Sequence, residues 1–147
     1  MKRVVFCINI ESNTIEDFKY FIENYLPSDC FIDLVHIYKT HVYMNELSPY
    51  VYPDDEQRGE IEKVIDQYLT NFSNNLSELK PEVQIEKHVY FHENPKVHIC
   101  DYLKNNRADL AVVATRGKYG FEGLFTSSFA EYLNRHSPSD LYIIRPK

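Results

Sequence analysis

Short apolar runs alternate along the chain with longer segments in which apolar residues recur every three or four positions. The short runs predict five strands, at Val4–Ile8, Phe31–Tyr38, Val83–Phe91, Leu110–Val113 and Leu141–Ile144. Strands that are apolar throughout are typical of a sheet that is covered on both faces. The third run instead alternates apolar and polar residues, which indicates a strand near an edge of the sheet.

The segments between these runs predict four amphipathic helices. Asn13 or Thr14 can cap the first helix, and Asp17 completes a capping box with Thr14. Capping residues, prolines and acidic first turns mark the other helix ends. These markers are Pro27 at the end of the first helix, Pro53 and Pro81 at the two ends of the second, and Asn94 and Pro95 at the start of the third. The fourth helix is predicted over Ser127–His136.

This order of strands and helices predicts an α/β fold in a single domain that spans residues 1–147. Right-handed crossovers place helices on both faces of a mostly parallel sheet, so the expected architecture is a three-layer sandwich. One segment, His41–Pro53, is rich in tyrosine and follows neither period. Its tyrosines could line a ligand pocket, but we favour packing against the protein's own surface or against a partner.

Charge and cysteine content argue against several classes of function. The net charge of −6 provides no field that attracts nucleic acid or an anionic membrane. The three cysteines, Cys7, Cys30 and Cys100, are odd in number, lie far apart and include no CxxC pair, so they are expected to be free thiols in a reducing compartment. The first apolar run is too short for a signal peptide, and no run approaches the roughly 20 apolar residues of a membrane span. We therefore expect a cytoplasmic protein.

The histidines do not predict a metal site. His88 and His92 lie four residues apart on a predicted strand, which separates them by roughly 13 Å, too far to bind one ion together. The remaining histidines show no zinc-ligand pattern with cysteine or carboxylate residues. They are His36, His41, His98 and His136.

The C-terminal third contains the clearest candidate binding site. Ligands of parallel α/β sheets bind beyond the carboxyl ends of the strands, where the strand order reverses. The fourth strand leads into a basic, glycine-containing loop, Thr115–Gly123, and then into a helix that begins with Ser127 and Ser128. Helix-terminal amides and serine hydroxyls at such a place can hold an anion. The alternative is a surface loop followed by ordinary helix capping.

With these features the chain resembles the universal stress protein family over nearly its whole length. The likeness is clearest in the Thr115-Arg-Gly117 loop, the serines that open the following helix, the Ala130-Glu-Tyr-Leu133 segment of that helix and the last strand, which closes in Arg145-Pro146. The resemblance implies a five-stranded parallel sheet of order 3-2-1-4-5. It also implies a homodimer formed through the last strand, whose apolar residues are Leu141, Tyr142, Ile143 and Ile144. An apolar edge strand is in itself suited to antiparallel pairing with a second copy.

Members of this family that bind nucleotides carry Gly-x-x-Gly, then nine intervening residues, then Gly-Ser or Gly-Thr. The resemblance places this motif at Ala114, Gly117, Ser127 and Ser128, of which Gly117 and Ser128 match. Glycine allows a phosphate to approach the backbone closely. The side chains of Ala114 and Ser127 are therefore expected to crowd the path of a polyphosphate.

Two further positions differ from the family pattern. The aspartate that follows the first strand corresponds to Asn9, which either contacts a nucleoside or closes an Asx turn. The glycine before the third helix corresponds to Glu93, whose carboxylate would repel an anionic ligand if it points inward. The implied pocket for ATP or phosphate comprises Asn9, Val35, Ala114, Arg116, Gly117, Ser127 and Ser128.

We therefore expect a non-enzymatic, homodimeric regulatory or binding protein of the universal-stress type, whose pocket binds adenine nucleotide weakly or not at all. The sequence contains no Walker loop and no nucleophile–base–orienter trio, so no catalytic residue is assigned. The alternative is a member that binds ATP, with Mg²⁺, and acts as a nucleotide-dependent switch with at most slow hydrolysis.

Overall fold

The computed structural model describes residues 1–10, 13–45, 47–115 and 129–145. Its elements in chain order are β1 (Lys2–Cys7), α1 (Ile15–Asn24), β2 (Cys30–Lys39), β3 (His41–Tyr43), β4 (Tyr50–Tyr52), α2 (Asp55–Leu79), β5 (Gln84–His92), α3 (Pro95–Asn105), β6 (Leu110–Ala114) and β7 (Asp140–Ile144). A further helix, α4, comprises residues 129–136. Each predicted strand and helix corresponds to one of these elements. The predicted start of the fourth helix, at Ser127 and Ser128, lies outside the described residues.

Five strands form one parallel sheet in the order β5-β2-β1-β6-β7. The predicted order, 3-2-1-4-5, needs correction in its numbering, because the segment between β2 and α2 contributes two strands, β3 and β4, that the sequence pattern did not predict. β5 and β7 occupy the two edges of the sheet, as expected for the third apolar run and for the last one. β1 lies between β2 and β6, so the order of the strands along the sheet reverses at β1.

The helices begin where the sequence offers capping groups. The Thr14 amide donates to the Asp17 carboxylate at 2.9 Å ahead of α1. At α2 the exchange is reciprocal: Asp54 Oδ1 accepts from the Gln57 amide at 2.8 Å, and Gln57 Oε1 accepts from the Asp54 amide at 2.9 Å. Asn94 caps α3. These bonds satisfy amide groups that have no partner within the helix, which fixes where each helix begins.

Each face of the sheet is covered by two helices. On one face, Phe6 of β1 stacks on Phe18 of α1 at a centroid distance of 5.4 Å and meets Phe72 of α2 edge-on at 6.3 Å. On the other face, Val5 and Cys7 of β1 lie in a second buried cluster with residues of α3 and α4. These helix residues are Ile99, Tyr102, Leu103, Ala130 and Leu133. The three-layer arrangement follows because successive side chains of a strand point to opposite faces.

The 25 residues of α2 make it the longest of the described helices, and it is amphipathic. It buries one stripe, formed by Ile65, Leu69, Phe72 and Leu76, against the sheet and α1. Its other positions are mostly polar, as expected for the outer layer of a sandwich. None of the described helices combines the length and the apolar character that crossing a bilayer requires.

The tyrosine-rich segment forms a short antiparallel hairpin of β3 and β4, separate from the main sheet. The rings of Tyr43 and Tyr50 stack on each other at 5.1 Å and remain exposed, as does Tyr52. Among the described residues of the segment, His41 is the one that reaches the cleft described below. The exposed rings of Tyr43, Tyr50 and Tyr52 therefore do not line this cleft.

Candidate functional site

A cleft with a volume of about 900 Å³ opens at the carboxyl ends of β1, β2 and β6. Because the strand order reverses at β1, the chain leaves β1 for one half of the sheet and returns through β6 to the other half. The two connections diverge there and leave a crevice, which is where ligands bind in open parallel sheets. The volume lies within the range of small-molecule sites, roughly 300–1,000 Å³.

Three of the residues expected to form the pocket line this cleft: Asn9, Val35 and Ala114. Val35, in the middle of β2, and Ala114, the last residue of β6, are both buried and form part of its floor. Asn9 follows β1 and is partly exposed. Phe129 and Tyr132 of α4 complete the opposite wall. The other expected pocket residues, Arg116, Gly117, Ser127 and Ser128, lie outside the described residues, so their contribution stays a prediction.

Asn13 is a further lining residue, which the sequence suggested only as a helix cap. The cap of α1 is Thr14, and Asn13 instead closes the loop after β1. The main-chain N–H of Asn9 donates to the side-chain Oδ1 of Asn13 at 2.9 Å. The main-chain N–H of Asn13 donates to the main-chain carbonyl oxygen of Asn9 at 2.7 Å. These two bonds hold Asn9 and Asn13 together at the mouth of the cleft.

The side-chain amide of Asn13 has a fixed orientation, because its oxygen accepts a backbone N–H. Its Nδ2 is therefore the free end of the group. Asn13 is only 2% exposed, and Nδ2 has no hydrogen-bond partner within the described part of the chain. A buried donor without an acceptor costs about 1–3 kcal/mol. The signal that could have pointed to this residue is a second asparagine four positions after Asn9.

The second half of β2 forms one wall of the cleft, and His36 in this half connects it to the segment that follows β1. Its Nδ1 lies 2.7 Å from the carbonyl oxygen of Ile8. A carbonyl can only accept, so Nδ1 carries the proton and donates to Ile8. The Ile8 amide in turn donates to the Val35 carbonyl oxygen at 2.9 Å, which extends the β1–β2 pairing to the rim of the cleft. These two hydrogen bonds connect β1 and β2 at the rim of the cleft.

Charged side chains of both signs line the cleft. Glu93 and Lys96 flank the start of α3, and Lys39 ends β2. Glu93, whose carboxylate would repel an anionic ligand if it points inward, is thus one of the lining residues. Two lysines oppose one glutamate in the described lining. The N-terminus of α3 adds the positive end of its dipole on the same side.

Cys7 lies on the floor of the cleft and is buried. Burial raises the pKa of its thiol to about 12, and the neighbouring Cys100 contributes in the same direction. The thiol is therefore protonated at neutral pH. Since the thiolate is the reactive form of cysteine, Cys7 is a packing residue rather than a nucleophile in this structure.

Comparison with known proteins gives one family. The model of the universal stress protein family matches residues 1–145. No curated protein sequence matches the chain significantly.

Solved structures resemble the chain over almost its entire length. A universal stress protein in complex with cAMP superposes with a TM-score of 0.68 at 14% identity, over 99% of this chain and 98% of the other. A family member from Arabidopsis thaliana with AMP bound gives 0.69 at 20% identity, over 100% and 93%. The universal stress protein UspA from Lactobacillus plantarum gives 0.58 at 13% identity, over 98% and 97%. At these identities the likeness shows the fold.

Proposed function

Because this chain belongs to the universal stress protein family, we propose that it is a non-enzymatic regulatory protein of the cytoplasm whose cleft weakly binds an adenine nucleotide with one phosphate. The observation that carries this proposal is the unpartnered, buried NH₂ group of Asn13 at the switch point of the sheet. Adenine ring nitrogens and ribose oxygens accept hydrogen bonds, so a nucleoside in the cleft can satisfy this donor.

The charge of the cleft favours a ligand with a single phosphate. Glu93 offsets one of Lys39 and Lys96, which leaves one net positive charge in the described lining. A triphosphate brings more negative charge past the same carboxylate and meets the Cβ atom of Ala114 where the family motif has glycine. Two of the similar structures contain cAMP and AMP, each of which has one phosphate group.

The chemistry of the described lining supports a binding role rather than catalysis. It contains neither serine nor threonine, and its one thiol, that of Cys7, is protonated at neutral pH. His36 donates its Nδ1 proton to a main-chain carbonyl, so Nε2 is its basic nitrogen, and the described lining offers this nitrogen no serine, threonine or reactive thiol to activate. A nucleophile needs an adjacent base to be activated. We therefore propose no hydrolytic step.

The alternative is an ATP-dependent switch with Mg²⁺. The size of the cleft is compatible with it, since a volume of about 900 Å³ accommodates a triphosphate as well as a monophosphate. In this case, Gly117, Ser127 and Ser128 would supply the phosphate contacts. The two proposals differ in which nucleotide binds more tightly.

A nucleotide titration tests both proposals. We expect AMP to bind and, at ten times its Kd, to stabilise the protein by about 1.4 kcal/mol, which raises Tm by roughly 3–6 °C for a domain of this size. ATP with Mg²⁺ is expected to bind no more tightly than AMP. Isothermal titration calorimetry and thermal unfolding with AMP, cAMP, ATP–Mg²⁺ and, as a control for the base, GMP provide the measurement.

Each other outcome is informative. An unchanged Tm with every adenine nucleotide at millimolar concentration would refute the binding proposal. ATP–Mg²⁺ binding at least ten times more tightly than AMP would favour the alternative. Phosphate release above background by the purified protein would contradict the absence of catalysis.

We also propose that the protein is a homodimer that pairs through β7. This strand lies at the edge of the sheet, so its outer backbone groups have no partner strand in the described structure. Tyr142 packs inward on Phe21 at a centroid distance of 4.6 Å, whereas Ile143 is 40% exposed. Antiparallel pairing of two β7 strands about a two-fold axis would satisfy the backbone groups and cover Ile143.

Replacing Ile143 with aspartate is expected to convert the dimer into a monomer, because two like charges would face each other near the two-fold axis. Sedimentation velocity at micromolar concentration measures the change. Val64→Asp is the matched control, since Val64 is an exposed aliphatic residue on α2, away from β7. A wild-type protein that sediments as a monomer, or an Ile143→Asp variant that stays dimeric, would contradict this interface.

A further inference from the structure

Three polar side chains meet on the sheet away from the cleft: Asp33 of β2 and Glu86 and His88 of β5. Asp33 lies opposite Glu86 in the register of the two strands, and Val35 lies opposite His88. Side chains two apart on a strand share a face, so all three residues lie on the same face. The ring of His88 contacts Tyr102 at 5.5 Å, which identifies this face as the one covered by α3.

The donor atoms of this cluster converge. His88 Nε2 lies 3.3 Å from Asp33 Oδ1 and 3.5 Å from Glu86 Oε2, and the three atoms lie within 4.8 Å of one another. Zinc–nitrogen and zinc–oxygen bonds are about 2.0–2.2 Å long, so two ligand atoms at a tetrahedral angle are roughly 3.3–3.5 Å apart. The two distances from His88 match this spacing. The third distance, between the carboxylate oxygens of Asp33 and Glu86, can reach the same value by a small movement of Glu86, whose side chain is 58% exposed.

Asp33 is a buried carboxylate whose charge is only partly compensated, by Arg3 and by a hydrogen bond with the side chain of Tyr102. It is fully buried, and its Oδ2 accepts no hydrogen bond from the described residues. Arg3 approaches that oxygen with Nε at 3.6 Å, and a second N–H of its guanidinium donates to Asn106 Oδ1 at 3.3 Å. A buried charge is costly unless it is paired and hydrogen-bonded. Arg3 therefore orients Asp33 through Oδ2 and leaves Oδ1 facing His88, as a supporting residue does around a metal ligand.

The charge balance also suits a cation. The carboxylates of Asp33 and Glu86 outweigh the single positive charge of Arg3 when His88 is neutral, which leaves a net charge of −1 in the cluster. The side chain of His88 is 25% exposed, so solvent reaches the cluster from the side of β5. An ion can therefore enter, and a water molecule can complete its coordination.

From this arrangement we infer that Asp33, Glu86 and His88 form a binding site for Zn²⁺. One imidazole nitrogen and two carboxylate oxygens are a ligand set that Zn²⁺ accepts with a water molecule as fourth ligand. Ca²⁺ and Mg²⁺ prefer six or more oxygen ligands and are disfavoured by the imidazole. The site does not depend on nucleotide binding, because none of its three residues lines the cleft.

The same distances would arise if His88 were an imidazolium ion held between two carboxylates, so the test must detect the metal itself. Zn²⁺ is titrated by calorimetry into protein freed of metal by EDTA and dialysis. We expect one ion per chain and an increase in Tm. Glu86→Gln and His88→Gln are each expected to raise Kd at least about tenfold. Both residues are partly exposed, so these variants should fold.

His92→Gln is the matched control. His92 lies further along β5 with its ring 4.8 Å from that of His98, so the control tests whether Zn²⁺ binds at this histidine pair instead. We expect the control to leave Kd unchanged. Co²⁺ provides a spectroscopic readout, since four-coordinate Co²⁺ absorbs strongly in the visible range and this absorption should disappear in His88→Gln. An absence of Zn²⁺ binding, an unchanged Kd in His88→Gln, or a loss of binding in His92→Gln would each overturn the inference.

Discussion

Replacing Phe6 with alanine is expected to lower the free energy of unfolding by about 3–5 kcal/mol, the largest effect of any single substitution that we predict. Phe6 is fully buried in the central strand of the sheet. Its ring contacts Phe18, Phe21 and Phe72 at centroid distances between 5.4 and 6.3 Å. Removal of the ring would leave a cavity among three aromatic side chains that belong to two different helices. Helices anchored to the sheet cannot close such a cavity fully.

Urea denaturation of the wild-type and variant proteins measures this loss. Tyr20→Ala is the control, because Tyr20 is an aromatic residue of α1 that is 64% exposed. Its change in stability is expected to stay within about 0.5 kcal/mol. A cost below about 1 kcal/mol for Phe6→Ala would mean that the aromatic cluster is not the centre of this core.

Replacing Asn13 with aspartate is expected to weaken nucleotide binding by about 1–3 kcal/mol, or roughly 5- to 150-fold. The carboxylate keeps the oxygen that accepts from the Asn9 amide, so the loop after β1 retains its hydrogen bond. The unpartnered NH₂ group is replaced by an oxygen that cannot donate. The added negative charge also repels the phosphate. Affinity for AMP, measured by calorimetry at a temperature where the variant is folded, reports the effect.

Asn75→Asp is the matched control for this substitution. Asn75 lies on the exposed side of α2 and undergoes the same change of side chain and charge. Its affinity for AMP is expected to equal that of the wild type. If Asn13→Asp unfolds cooperatively and still binds AMP as tightly as the wild type, the role assigned to the Asn13 amide is wrong.

The order of the elements could be predicted because each carries its own local signal. β1 is an unbroken apolar run, Asp54 caps α2 and Asn94 caps α3, and each signal lies within a few residues of the element that it marks. The β3–β4 hairpin carries no such signal. Its strands have three residues each, too few to show a period, and all six residues are exposed. No hydrophobic pattern therefore distinguishes them from a loop.

The place of the cleft could also be predicted, but several of its residues could not. Asn9 and Ala114 follow from the rule that ligands bind at the carboxyl ends of strands near the switch point, whereas Val35 follows from the family resemblance. The role of Asn13 depends on a hydrogen bond that fixes the orientation of its amide, which a sequence does not display.

The Asp33, Glu86 and His88 cluster was missed for a different reason. Spacing along a single strand relates His88 only to its own neighbours in sequence, whereas this cluster forms across two strands. Asp33 meets Glu86 only through the register of β2 against β5, and that register is set by the whole sheet rather than by either segment.

The central position of β1 has a consequence for how the chain is made. Its first neighbour, β2, is complete at Lys39, but its second, β6, begins only at Leu110. At an elongation rate of about 5–20 residues per second, the ribosome needs roughly 4–14 s to synthesise the residues between them. Throughout that interval the edge of β1 that pairs with β6 has no partner strand, and a nascent chain in this state is prone to aggregate. Chaperone capture should therefore be strongest before Leu110 emerges from the ribosomal tunnel.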